Sequence, residues 1–163
     1  MRVEFKYATE ADGARVAQLL IDARAAFMPY APSPHSDDEV RSWVTTFLIP
    51  TNAVILARAN GATVGVVATR QENDRSWITH MAVDPPCVGR GIGSTLLRCA
   101  LCLLQRPILL YTFQANTGAR RFYERHGFRA IQFADGRANE ERCPDVLYEL
   151  ATVQRGMAGL TQE

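Results

Sequence analysis

No run in this sequence approaches the roughly 18 consecutive apolar residues that a membrane-spanning helix needs. Its first ten residues, MRVEFKYATE, carry charges where a secretory leader requires an apolar core. These two absences set the expectation of a cytoplasmic protein with no membrane partner. An excess of charge of one sign is missing too: 18 Lys and Arg stand against 17 Asp and Glu, a net charge of +1. That balance offers no broad electrostatic grip on nucleic acid. The four cysteines, Cys87, Cys99, Cys102 and Cys143, are too few and too irregularly spaced for a disulfide scaffold. Cys99 and Cys102 form a lone C-x-x-C within an apolar helical run. Without a second ligand pair they read as buried thiols packing as small hydrophobes, and no metal is expected. Repeats, low-complexity tracts and long linkers are also lacking. The 163 residues therefore suit a single domain, expected over residues 1–151, with a frayed tail from 152 to 163.

What is present is an ordinary globular composition, 47% hydrophobic and 21% charged. RVEFKY alternates as a first strand. Thr9 and Asp12 can open a helix whose apolar stripe is Val16, Leu19, Leu20 and Ala23. After a proline-rich loop, Ser36-Asp37-Asp38-Glu39 has the form of a capping box, predicting a second helix to about Leu48. AVILARA and TVGVVATR are strands joined at Asn60-Gly61, a type I′ hairpin signal. SWITHMAV is a fourth strand. Ile92, Leu96, Leu97, Ala100, Leu101 and Leu104 recur at helical spacing, predicting a helix to about Gln105. PILLYTF reads as a strand covered on both faces, and TGARRFYERHG as a helix closed by Gly127. FRAIQF and DVLYEL are the last strands. The order β-α-α-β-β-β-α-β-α-β-β predicts an α/β domain around one mixed sheet.

The segment VDPPCVGRGIGS, Val83 to Ser94, joins the fourth strand to the helix after it. It is no P-loop, because G-x-x-x-x-G-K-[ST] is absent, and Ser94 stands where a Rossmann fingerprint has its third glycine. The physics of an anion seat survives both rejections. Gly89, Gly91 and Gly93 let backbone approach a ligand closely. The free amides of the first helical turn, around Ser94, point outward with the positive end of the helix dipole behind them. Arg90 can add a charged contact at the rim. A flexible strand-to-helix turn is the plainer alternative. Downstream, NTGARRFYERHGF places Asn116 at the mouth of a strand, followed by Phe122-Tyr123 and Gly127-Phe128.

The first segment resembles the phosphate-binding signature of the GNAT superfamily of N-acetyltransferases, V-x-P-x-x-[QR]-x-x-G-x-[GA]. Val83, Pro85, Gly91 and Gly93 match it, while Val88 occupies the usual Gln or Arg position. The second segment is similar to a later motif of the same family. The resemblance implies a single-domain GNAT-like α/β fold: a mixed, mostly antiparallel sheet of about seven strands with about four helices, splayed between strands 4 and 5. It implies acetyl-CoA as cosubstrate, its pyrophosphate on the glycine loop and its pantetheine arm against the fourth strand around Met81 and Val83. Tyr123 takes the place of the family's general acid; as a plainer alternative it packs the helix on the sheet. Asn116 either contacts pantetheine or caps the helix, roles that are compatible. Homodimerisation is common in the family, and a homodimer is the protein partner it implies.

The base is left open between His80, on the fourth strand, and water. Strict alternation turns His80 toward the core, whereas the family's base tends to share the register of Trp77 or Thr79. Tyr30 and His35, in the loop between the first two helices, can border the acceptor site. His126 suits a helix end and receives no chemistry. The expected function is transfer of acetyl from acetyl-CoA directly to a primary amine of a small molecule or peptide. No G-x-S-x-G elbow supports an acyl-enzyme. A non-catalytic acyl-CoA-binding module is the alternative.

Overall fold

The computed structural model describes residues 1–153. Of the expected tail, residues 154–163 lie outside the described residues. Strand β1 (Val3–Tyr7) leads through a short 3-10 turn into α1 (Gly13–Phe27), and the next helix, α2 (Asp37–Trp43), follows the proline-rich loop. Then come β2 (Ala53–Ala59), β3 (Ala62–Glu72), β4 (Arg75–Val83) and α3 (Ile92–Leu103). The chain closes with β5 (Ile108–Phe113), α4 (Thr117–Arg125), β6 (Arg129–Ala134) and β7 (Asp145–Leu150).

The seven strands form one sheet in the order β1-β2-β3-β4-β5-β7-β6. Every neighbouring pair is antiparallel except β4 with β5. Helices cover it from both sides. On one face α3 and α4 bury Leu96, Leu97 and Tyr123 against Val67, Ile78, Ile108, Leu110 and Tyr148. On the other α1 and the α2 region bury Val16, Leu19, Val44 and Leu48 against Leu56 and Val66. This is the layered solution for helices carrying one apolar stripe and a sheet with two apolar faces.

Local chemistry explains most element ends. Asn60 and Gly61 take positive φ values of 51° and 81°, as a type I′ turn demands. Ser36 Oγ accepts from the Glu39 amide at 3.2 Å and Glu39 Oε2 accepts from the Ser36 amide at 2.7 Å, completing the capping box. Gly127, at φ 91°, ends α4.

Four expectations need correction. The second helical stretch does not stop at Leu48: a wide π turn over Val44–Leu48 carries it into a last turn at Ile49–Thr51. The helix predicted to reach Gln105 stops at Leu103, one turn past its last fully buried contact at Ala100. β5 is not covered on both faces, since Tyr111 is 59% exposed. Cys102 is exposed, with only Cys99 of the C-x-x-C packed against the core. No cluster suited to a metal ion occurs among the described residues.

Candidate functional site

Strands β4 and β5 run parallel but pair at only two positions, Ser76 with Ile108 and Trp77 with Leu109. Beyond Trp77 they part, and β5 continues to pair on its other side with β7 through Phe113. Where they separate, β4 carries one extra residue: Thr69 of β3 faces Ile78 and Ala68 faces His80, leaving Thr79 unmatched. A bulge of this kind shifts every later side chain to the opposite face. Met81 and Val83 consequently join Ile78 on the α3 side, whereas His80 turns to the α1–α2 side beside Trp43, 5.0 Å between ring centroids. The alternation that would put His80 with Ile78 in the core is overturned by that single residue.

The α3 face holds the glycine loop. Asp84 is fixed at its start: its amide donates to Val64 O at 2.8 Å, and Arg15 Nη2 donates to its carboxylate at 2.8 Å. Arg15 also donates to Thr63 O through Nε and Nη2, at 3.1 and 2.9 Å. Pro85–Cys87 then makes a single 3-10 turn. Gly89 and Gly91 have φ values of 81° and 80°, a region in which a side chain is strained. A Cβ placed on either would meet nothing within 4 Å, so the space before the loop is open. Gly91 is also the N-cap of α3, and no side chain caps that end. The amides of Ile92, Gly93 and Ser94 therefore face outward with the helix dipole behind them, a seat suited to phosphate. Arg90 is exposed beside it, and Val88, in the position where resemblance expects Gln or Arg, lies half exposed at the rim.

Asn116 caps α4, its Oδ1 accepting from the Ala119 amide at 3.2 Å. Tyr123 lies on the inner side of that helix, 8% exposed, among Phe122, Phe128 and Tyr148. Among the described residues its hydroxyl has one hydrogen-bond partner, Met81 Sδ of β4 at 3.8 Å. Burial raises the hydroxyl's pKa well above the ordinary tyrosine value. It stays protonated at any physiological pH, as a proton donor must.

The opposite face is assembled from side chains on distant segments. His80 Nδ1 is shut off from solvent and has no partner among the described residues. Burial lowers the ring's pKa to about 4; the Arg24 guanidinium adds to that, and Glu141 opposes it. The imidazole is thus neutral at pH 7. Tyr30 meets Phe113 edge-on at 6.3 Å, and burial raises its phenol pKa. Arg24 donates to Glu141 Oε1 at 3.1 Å and to Ala31 O at 3.0 Å. His35 Nε2 lies 2.8 Å from Glu140 Oε2, which raises its pKa. Two ion pairs thereby clasp α1 and the α1–α2 loop to the β6–β7 loop.

Trp77 stacks on Tyr111, centroids 5.8 Å apart and planes at 15°. Thr79 is committed to the bulge, donating within reach of Asn52 Oδ1 (3.0 Å) and Ala68 O (3.2 Å). His126 Nδ1 sits 2.8 Å from Phe122 O, a helix-end contact. Tyr30, His35, Trp77, Thr79 and His80 therefore fall on one side of the sheet, and the glycine loop, Met81 and Tyr123 on the other. Sequence reasoning did not find Arg24, Trp43, Tyr111 or Phe113, because only the fold brings them beside the predicted residues.

The fold recurs in solved structures. PaiA N-acetyltransferase from Thermoplasma acidophilum, in complex with coenzyme A, superposes with a TM-score of 0.74 at 15% identity, over 93% of this chain and 100% of that one. The ribosomal-protein-S18-alanine N-acetyltransferase from Escherichia coli gives 0.73 at 16% identity, covering 96% and 99%. A chain of the NatC complex bound to Gag peptide and CoA gives 0.68 at 21%, covering 94% and 100%. At such identities the likeness speaks for the fold. No curated protein matches by sequence. The decisive similarity is to a family model described as acetyltransferase (GNAT) family, which spans residues 19–128, from α1 to the end of the α4 segment. With the parted β4–β5 pair and the uncapped α3 both inside that span, the chain belongs to the GNAT acetyltransferase family.

Proposed function

We propose that the protein is an acetyl-CoA-dependent N-acetyltransferase that passes acetyl directly to a primary amine of a small molecule or peptide. One observation carries this reading: an uncapped, glycine-opened helix end lies on the same side of the parted strands as a buried, protonated tyrosine hydroxyl. Acetyl-CoA would supply an activated acyl carbon in its thioester. The Ile92–Ser94 amides, with Gly89, Arg90 and Gly91, suit its pyrophosphate. The β4 backbone around Met81 and Val83, unpaired on its β5 side, suits pantetheine, and an amide there would polarise the acyl oxygen. Val88 contributes only at the rim, and Asn116 at the far edge.

Transfer forms an N–C bond and breaks a C–S bond. In this reading Tyr123 donates its proton to the leaving sulfur and recovers one from solvent. The amine must shed a proton on the other face. The His80 ring is neutral and its Nδ1 is closed to solvent, so His80 shapes this face by packing on Trp43 while water removes the proton. Tyr30 and His35 border the same mouth.

Calorimetric titration of acetyl-CoA, followed by thiol release with added amines, tests the reading. Saturable binding is expected, and Tyr123→Phe should lower turnover roughly 100-fold with acetyl-CoA affinity unchanged. Undiminished turnover would remove Tyr123 from its role. Binding without turnover of any amine would favour the acyl-CoA-binding module instead.

A further inference from the structure

The face of the sheet opposite α3 is only partly covered. α1 and the α2 region close over β2, β3 and the far end of β4, but β5 leaves Tyr111 exposed in the middle of the sheet. Beside it is an open depression of about 260 Å³ lined by Arg70, Glu72, Trp77, Ile78, Thr79 and Tyr111. It begins at the last paired position of β4 and β5, Trp77 with Leu109. Because of the Thr79 bulge, Trp77 and His80 share this face: their partners on β3, Arg70 and Ala68, are two residues apart on one side of that strand.

We infer that this depression is the acceptor subsite and takes a small primary amine carried on a flat aromatic body. The inference rests on the transferase reading given above. Trp77 and Tyr111 are already parallel, and the exposed tyrosine offers a further ring an offset stack of the kind aromatic pairs prefer. The same rings attract an ammonium group before it loses its proton. A ring seated there leaves a short amine-bearing arm directed along β4 toward His80 and the gap between the strands. The charges argue against other acceptors. The single carboxylate, Glu72, is held by Arg70 at 3.0 Å, so a polyamine finds no cluster of free acids. At about 260 Å³ the hollow also falls below the range of pockets that enclose larger ligands.

Thiol release with saturating acetyl-CoA should be compared for 2-phenylethylamine, tryptamine, n-butylamine, spermidine and a lysine-containing peptide. The expected result is a KM for the two aryl amines at least tenfold below that of n-butylamine. Trp77→Leu and, separately, Tyr111→Leu should raise the aryl KM toward the butylamine value while the Kd for acetyl-CoA holds. Quenching of tryptophan fluorescence by 2-phenylethylamine, lost in Trp77→Leu, reports seating without turnover. Equal KM values, an aryl preference surviving both substitutions, or faster turnover of spermidine or peptide would overturn the inference. So would failure to acetylate either aryl amine. If acetyl-CoA binds and other amines react, only this inference falls; if acetyl-CoA does not bind, the transferase reading falls with it.

Discussion

The two faces of the sheet around the β4–β5 gap are built from different materials. On the α3 side the candidate site is mostly backbone: amides of one helical turn, a loop bent at Gly89 and Gly91, and the unpaired edge of β4. On the other side it is mostly side chains, drawn from α1, α2, β4, β5 and the β6–β7 loop. A backbone seat demands particular residues at fixed spacing, because only glycine holds φ near 80° at low cost. A side-chain mouth can be rebuilt from many residues. The first is suited to a ligand that does not change, the second to one that does.

The sharpest way to break this contrast is Gly91→Val. It strains the left-handed N-cap and puts a branched side chain into the open space before the α3 amides. Acetyl-CoA affinity should fall about 100-fold, equivalent to roughly 3 kcal/mol, read by calorimetry, with the aryl-amine fluorescence response retained. Retained affinity would mean that the loop is only a turn.

Next is a pH effect confined to the side-chain face. His80 has its folded pKa lowered from 6.5 to about 4, so between those values the unfolded chain binds more protons than the folded one. Stability contributed by the neutral buried ring is complete above about 6.5, lost progressively as pH falls toward 4, and absent below. The full span is on the order of 3 kcal/mol. Urea midpoints at pH 7 and pH 4.5 should show the loss, and His80→Leu should flatten it. His35 acts with the opposite sign: its raised pKa gives a contribution present at low pH and lost as pH rises through its folded value. Because that pair is exposed, screening leaves it little weight.

The smallest effect separates two roles of Asn116. Loss of the α4 cap in Asn116→Ala should cost about 1 kcal/mol in thermal or urea unfolding. An unchanged acetyl-CoA affinity would confine Asn116 to capping, whereas a several-fold weakening would add a pantetheine contact.

The same contrast explains what could be read from the chain. Gly89-x-Gly91, Asn60-Gly61 and Ser36-x-x-Glu39 were legible because each names a local backbone geometry. The strand and helix order followed from apolar periodicity, and with it the core on each face. The Arg24–Glu141 pair was not legible, since its members are 117 residues apart and neither sits in a motif. Nor was the Trp77–Tyr111 stack, which depends on two strands that pair only at Ser76–Ile108 and Trp77–Leu109. The π turn at Val44–Leu48 carries no glycine or proline to mark it, and Thr79 gives no sign of being a bulge.

That unmarked threonine has a consequence for the history of the site. Up to Ile78, β4 presents its even-numbered residues Ser76 and Ile78 to the α3 side; after Thr79 the odd-numbered Met81 and Val83 take that place. Because the bulge absorbs the extra residue, loss of that one codon would leave Ile78 and His80 as consecutive partners of Thr69 and Ala68 and keep Met81 and Val83 on the face they now occupy. A relative without the insertion, compared letter by letter, would set its outward residues against this protein's inward ones from His80 onward. Ancestry across this strand is therefore better traced by the partners each residue meets than by its place in the row.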